Sequence, residues 1–257
     1  MRFLKNVGFW LGLPIILVAV WWAATLGDVN PFVPKPGDLV VKLFQVWFGS
    51  DFLANVVPSL SRLLVGLAVS IVLGITLGIL IGSWRWVRWL LEPALEFLRA
   101  VPPTVLIPVL LLVIGINDGM KITIIVLGCL WPILLNTISG VRSIDSVLAD
   151  SARVYGIGGW ARLRHLVLPG AAPQIMTGVR QSLSVGLILM IVSEMFATTD
   201  GIGFAIIGFQ NSVSMPEMWS GILLLGLIGI ALSVIFSQVQ KRVLRWYEGL
   251  KEASNEG

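Results

Sequence analysis

The sequence predicts an all-α integral membrane protein of six transmembrane helices, with a helix–turn–helix projecting on the cytoplasmic side. Three observations carry this. Of 257 residues, 56% are hydrophobic and only 12% charged, with a mean hydropathy of +0.91. A soluble surface needs about 25–35% charged residues, so lipid must serve as much of the solvent. Six apolar runs approach the roughly 20 residues that a helix needs to cross the hydrocarbon core. Basic residues, finally, are distributed very unequally among the segments between those runs. The composition excludes disorder, a disulfide scaffold and an ordinary cytosolic enzyme. The net charge of +4 and pI of about 9.6 then report topology rather than nucleic-acid binding.

The first run covers residues 8–26, behind Arg2 and Lys5. A cleaved signal peptide would begin alike, but Thr25-Leu26-Gly27 is a weak cleavage site and more spans follow, so an uncleaved helix is expected. The second run covers 63–82. Gly66, Ser70, Gly74, Gly78 and Gly82 recur at a spacing of four and form one stripe of small residues. Such a stripe admits another helix backbone at close range. Packing within the chain is the expected use, and a seam between copies the other. The third run, 102–116, is short, which suggests partial shielding by protein. The polar turn Asn117-Asp118-Gly119 leads into the fourth, 122–139. The fifth and sixth cover 175–197 and 218–239.

The remaining segments have readings of their own. Pro31, Pro34 and Pro36 make the start of the 28–61 segment extended. Residues 39–48 then read as an amphipathic helix on the membrane surface, with Trp47 as an interfacial anchor. The band Trp84-Arg85-Trp86-Val87-Arg88-Trp89 reads as an anchor at the inner interface. Cys129 lies in an apolar run and reads as a small buried packing residue. One cysteine and one histidine cannot make an ordinary zinc site.

Basic residues orient the spans. Arg2, Lys5, Arg85, Arg88, Arg99, Arg142, Arg153, Arg162, Arg164, Lys241, Arg242, Arg245 and Lys251 fall on one side. Lys35, Lys42 and Lys121 fall on the other, with Arg62 and Arg180 left near helix ends. The positive-inside rule places both termini in the cytoplasm.

The most informative segment is 141–174, between the fourth and fifth runs. Residues 144–155 are helix-compatible, with Val147, Leu148, Ser151, Ala152 and Tyr155 at three- and four-residue spacings. Gly156, with Gly158 and Gly159, permits a sharp turn. A second short helix is expected over 160–168, ended by Pro169 and Pro173. Its mixture of Arg153, Arg162 and Arg164 with Trp160, Leu163 and Leu166 suits a docking surface, or a loop packed on its own bundle.

Here the chain resembles the permease subunits of bacterial ABC importers. Their signature is Glu-Ala-Ala, three residues, Gly, nine residues, Ile, one residue, Leu-Pro. The matching positions are Asp150, Ser151, Ala152, Gly156, Leu166, Leu168 and Pro169, with Asp for Glu, Ser for Ala and Leu for Ile. The Asp keeps the charge and shortens its reach by one methylene. Leu98-Arg99-Ala100-Val101-Pro102-Pro103, Pro132-Ile133-Leu134-Leu135-Asn136-Thr137, Gly140-Val141-Arg142 and Ser193-Glu194-Met195 resemble the subfamily importing nitrate, taurine, alkanesulfonates and related small compounds.

The resemblance implies the type I ABC importer permease fold, as a single transmembrane domain over 1–257, in the bacterial inner membrane. It implies two ATPase subunits holding ATP and Mg²⁺, a second permease copy, simplest as an identical one, and an external binding protein that delivers substrate. Asp150, Ser151, Ala152, Arg153, Gly156, Leu166, Leu168 and Pro169 would couple to the ATPase. This chain has no Gly-x-x-x-x-Gly-Lys-Ser/Thr phosphate loop, no expected cofactor and no expected catalysis.

Four residues are candidate pathway or gate groups. Glu194 is a carboxylate well within a run, where a charge costs on the order of 3 kcal/mol. It either contacts the pathway or makes a structural hydrogen bond, for instance with Ser193. An anionic substrate would require it to be neutral or turned away. Asn136 and Thr137 either contact a passing solute or bridge helices. Asp200-Gly201-Ile202-Gly203-Phe204 is glycine-rich but lacks the strand that a nucleotide fold places before it. The alternatives to a permease are a lone secondary transporter or channel, which needs several midplane ion-coupling groups, and a membrane enzyme, which needs clustered His, Asp or Ser.

Overall fold

The computed structural model describes residues 2–27, 32–49, 51–196, 198–247 and 249. Asp28, Pro31, Ala197 and Lys251 lie outside the described residues, as do the side chains of Arg2 and Lys5. Eleven α-helices appear among the described residues, and no strand. They are α1 (Arg2–Ala24), α2 (Pro36–Trp47), α3 (Val57–Ser83), α4 (Arg85–Ala100), α5 (Ile107–Ile114), α6 (Asp118–Arg142), α7 (Ser146–Val154), α8 (Gly159–Arg162), α9 (Leu168–Met195), α10 (Ile202–Asn211) and α11 (Met215–Val243).

Among the described residues, four continuous helical stretches are long and apolar enough to cross a bilayer: 52–83, 118–142, 159–195 and 215–243. The third expected run differs. Its helix divides into a 3₁₀ turn, Pro103–Leu106, and the eight-residue α5. At 1.5 Å per residue α5 spans only about 12 Å. It qualifies as a span only together with α4, and the two are bent by 79° around Pro102. The chain shields α5 in part: Ile107 is buried and Leu110 and Leu111 half-buried, whereas Leu112 and Val113 are exposed. The Trp84–Trp89 band opens α4, on which no residue is buried.

Prolines did not act as the stops expected of them. Residues 159–195 run as one helix through both Pro169 and Pro173. A π turn, Leu163–Val167, stands before Pro169, and the Leu168 N–H closes onto the Leu163 carbonyl. A proline has no N–H and its ring crowds the carbonyl four residues back. The wider π turn skips that bond, so the helix continues. A second π turn, Phe52–Val56, precedes Pro58 in the same way.

The chain divides into two compact units. In the unit of residues 1–58 and 199–228, α2 buries Pro36, Leu39, Leu43 and Trp47, a stripe with a period near four. Trp47 is therefore no membrane anchor. Its indole fills a socket beside Gly221, where a Cβ would lie 2.9 Å from the ring, and it meets Phe209 edge-on at 6.1 Å. Its N–H, which must find a partner once buried, donates to Ser220 Oγ at 2.9 Å. Lys42 pairs with Glu217 at 2.7 Å. The glycine-rich stretch before α10 turns at Gly201 (φ +114), whose N–H donates to Asn55 Oδ1. Helix α10 itself is an element that the sequence reading lacked.

In the unit of residues 59–198 and 229–257, three helices make the core. Helices α3 and α6 run parallel, and the small-residue stripe packs within the chain. Gly66, Gly74, Gly78 and Gly82 seat Ile125, Ile133, Thr137 and Val141; a Cβ on any of the four would lie 2.6–2.9 Å from those side chains. Ser70 completes the row, with its Oγ on the Gly66 carbonyl. Helix α9 packs antiparallel to α6 by the same means: Gly178 against Pro132 and Ile133, Gly186 against Cys129, Gly140 against Ala171. Where lipid competes for every apolar surface, such close contact supplies the attraction that water would otherwise drive. Cys129 is buried, as expected; its Sγ donates to the Ser182 carbonyl and Ser182 Oγ donates to the Cys129 carbonyl.

Candidate functional site

The 141–174 segment is built as a rigid projection. Asp145 caps α7: its Oδ1 accepts from the Val147 and Leu148 N–H groups at 2.7 and 3.1 Å. At the other end the Ile157 N–H donates to the Ala152 carbonyl and the Gly156 N–H to that of Arg153. With Gly156 at φ +67, this is a Schellman stop. The base is locked as well. Gly170 seats Ile144, and Gly140 seats the start of α9. The base also borders a half-open cavity of about 700 Å³ lined by Ile79, Leu80, Trp84, Arg162, Leu163 and Leu166.

The tip, by contrast, is open and apolar. Val154 is 86% exposed and Trp160 71%, with Val147, Leu148 and Tyr155 also exposed. Among the signature positions, Asp150, Ser151, Arg153 and Gly156 face outward, Ala152 is buried, and Leu166, Leu168 and Pro169 are half-buried. Asp150 and Arg153 form an ion pair within α7 at 2.9 Å. His165 lies in the π turn, its Nδ1 3.0 Å from the Ala161 carbonyl.

The four pathway candidates are not brought together. Glu194 and Ser193 lie at one end of α9. Asn136 packs beside Gly178, sixteen residues back along it, or about 24 Å, with Thr137 the next residue on α6. Thr137 is buried, seats Gly78 and donates to the Ile133 carbonyl. Ser193 is buried and donates to the Met190 carbonyl. Asn136 donates to the Pro132 carbonyl and to Gln181 Oε1 at 3.2 Å.

Glu194 belongs to a charged cluster at the ends of α3, α6 and α9. Its carboxylate accepts from Ser59 Oγ at 2.8 Å and from Arg62 at 2.9 Å. Arg62 also reaches Asp118, with Nε at 2.8 Å and a second guanidinium nitrogen at 2.7 Å. Lys121 stands 3.6 Å from the same carboxylate. Glu194, Ser59, Arg62 and Lys121 are buried, whereas Asp118 is 64% exposed. A buried carboxylate held this way is charge-compensated. Sequence reasoning missed Arg62 and Lys121 as its neighbours. The available signal was Ser59/Arg62 and Asp118/Lys121, two i, i+3 pairs at the starts of two apolar runs, beside the lone carboxylate of a third.

The comparisons with known proteins agree with this architecture. A family model described as "binding-protein-dependent transport system inner membrane component" matches residues 70–248. A candidate aliphatic sulfonates transport permease of Escherichia coli is 34% identical over 98% of this chain and 97% of its own length. The taurine transport system permease protein of Escherichia coli is 30% identical over 95% of the chain and 91% of its own. The nitrate import permease protein of Leptolyngbya laminosa is 29% identical over 89% and 85%. A crystal structure of an amino acid ABC transporter shares the fold, with a TM-score of 0.58 over 80% of this chain and 96% of that one, at 14% identity.

Proposed function

The chain belongs to the family of binding-protein-dependent transport system inner membrane components, the permeases of ABC importers, and from that premise we infer how it works. It is one transmembrane domain of six spans, α1 and the α4–α5 pair counted with the four continuous ones, and both termini face the cytoplasm of a bacterial inner membrane. Two copies form the pathway, two ATPase subunits hold ATP and Mg²⁺, and an external binding protein delivers the solute. The solute is a sulfonate, taurine, nitrate or a similar small compound, the class named for the relatives.

One observation carries the coupling role: an apolar tip on a locked base. Val147, Leu148, Val154, Tyr155 and Trp160 present a surface that a protein partner would cover. Asp145, Gly156 and Gly170 keep it from flexing. A lever must be stiff to pass on displacement, so closure of the ATPase pair moves α9 directly through the unbroken helix 159–195. The Asp150–Arg153 pair orders the exposed face of α7 for the same contact.

The test is copurification from native membranes. The tagged chain should bring down an ATPase, and Trp160→Glu or Asp150→Lys should release it while the protein stays folded. Retention of the ATPase by both variants would overturn the coupling role. ATP-independent uptake by the chain alone would overturn the importer reading.

A further inference from the structure

Across the six apolar runs only two residues are charged, Arg180 and Glu194. Glu194 is compensated by Arg62 at the end of its helix. Arg180 is fourteen residues away, about 21 Å along α9. Among the described residues it has no ion-pair or hydrogen-bond partner. Its depth follows from the packing. Gly178 sits on Pro132 and Ile133, which puts Arg180 level with the middle of α6, roughly 20 Å from one end of that helix and 17 Å from the other. An uncompensated guanidinium at that depth is expensive in lipid and marks a water-filled or ligand-filled place.

The surroundings point the same way. The exposed faces of α3 and α11, with Thr76 and Ser233 as polar exceptions, are mainly aliphatic: Leu64, Val65, Val72 and Leu73 on one and Ile230, Val234 and Ile235 on the other. That is what lipid requires. The exposed face of α9 instead carries Gln174, Thr177, Arg180, Gln181 and Ser184 on one helical arc. Arg180 and Ser184 also line a cavity of about 220 Å³, with Ser233, Gly229 and Phe236 on its α11 side. No carboxylate lines it.

We propose that Arg180 is the counter-ion for an oxyanion in transit, binding a sulfonate-, nitrate- or carboxylate-type group at mid-depth, with Ser184 and Ser233 donating hydroxyl hydrogen bonds. The planar guanidinium fork matches two oxygens of such a group, which a point-charge ammonium does not. Gln181, held by Asn136, extends the polar track along the same face. The inference rests on the permease reading and adds the residue that selects for charge.

The experiment is thiol labelling of the intact transporter in nanodiscs. Ser184→Cys places a thiol in the track. Cys129 is buried and adds no background, and Ile230→Cys serves as a lipid-facing control. A neutral, water-soluble maleimide should label S184C much faster than I230C, because thiolate forms only where water reaches. Millimolar ethanesulfonate or nitrate should slow that labelling. In the double variant R180Q/S184C, loss of a charge-assisted contact should weaken the protection about tenfold in anion concentration. R180K/S184C should keep part of it, which guards against a variant that merely fails to fold, and S233C is a second reporter. Equal protection with and without Arg180 would overturn the assignment. So would S184C as unreactive as I230C, the result expected if a second copy seals this face. Either outcome leaves ATPase copurification, and with it the permease reading, untouched.

Discussion

Arg62 and Glu194 meet at 2.9 Å with 3% and 0% of their side chains exposed, so protein groups replace water around both charges: each other, Ser59 on Glu194 and Asp118 on Arg62. Arg62→Met takes the guanidinium away from the buried Glu194 carboxylate, a loss on the order of 3–5 kcal/mol, whereas Glu194→Gln leaves Arg62 on Asp118 at 2.7 Å. Arg62→Met should therefore lower the unfolding midpoint in detergent more than Glu194→Gln, which keeps an acceptor for Ser59. Arg62→Met combined with Glu194→Gln should recover part of the loss. Thermal unfolding of the three variants checks this. A double variant as damaged as the sum of the singles would mean that the two groups do not stabilise each other.

The glycine row on α3 allows a sharper test. An alanine at Gly74 puts its Cβ 2.7 Å from Ile133 Cγ2, and one at Gly78 puts it 2.6 Å from Thr137 Cβ. Both neighbours are β-branched and buried, so neither can turn away. Overpacking of this kind costs about 1–3 kcal/mol. Gly226→Ala, on α11 with nothing within 4 Å, is the control and should be neutral. The measurement is the folded yield and unfolding midpoint of each variant.

How much of this was legible beforehand depended on whether the residue's surroundings are local. The spans were readable because lipid demands apolar length, and the glycine row because a spacing of four has few other uses. The turn at Gly156 was readable because its stop is written within six residues. Partner choice was not. Arg62 is 56 residues from Asp118 and 132 from Glu194, and only the packing of three helices joins them. Trp47 misled because a stripe such as Leu39, Leu43, Trp47 reads the same whether it faces a bilayer or a protein socket. Pro169 misled because the π turn before it has already given up the bond that a proline removes. Arg180 was visible as a charge, but its depth came only from the pairing of Gly178 with α6.

Trp47 supplies a third expectation. Trp47→Phe keeps most of the ring but leaves Ser220 without its donor, while Ser220 Oγ still donates to the Glu217 carbonyl at 2.6 Å. The loss should be about 1 kcal/mol. Trp47→Ala empties the socket and should cost about 3–5 kcal/mol. Were Trp47 a lipid anchor, both substitutions would leave the unfolding midpoint in detergent nearly unchanged.

Gly156 and Gly158 separate backbone conformation from space. A Cβ would meet nothing within 4 Å at either position, but Gly156 lies at φ +67 and Gly158, the residue before α8, at φ −126. Gly156→Ala therefore forces a left-handed residue to carry a side chain, a strain of about 1–2 kcal/mol, with no clash to confuse the result. The Schellman bonds from Gly156 and Ile157 should loosen, and the angle between α7 and α8 with them. If the projection passes force to α9, Gly156→Ala should reduce uptake per ATP hydrolysed while Gly158→Ala leaves it unchanged. Equal coupling ratios in the two variants would mean that the stiffness of this turn is not what transmits the stroke.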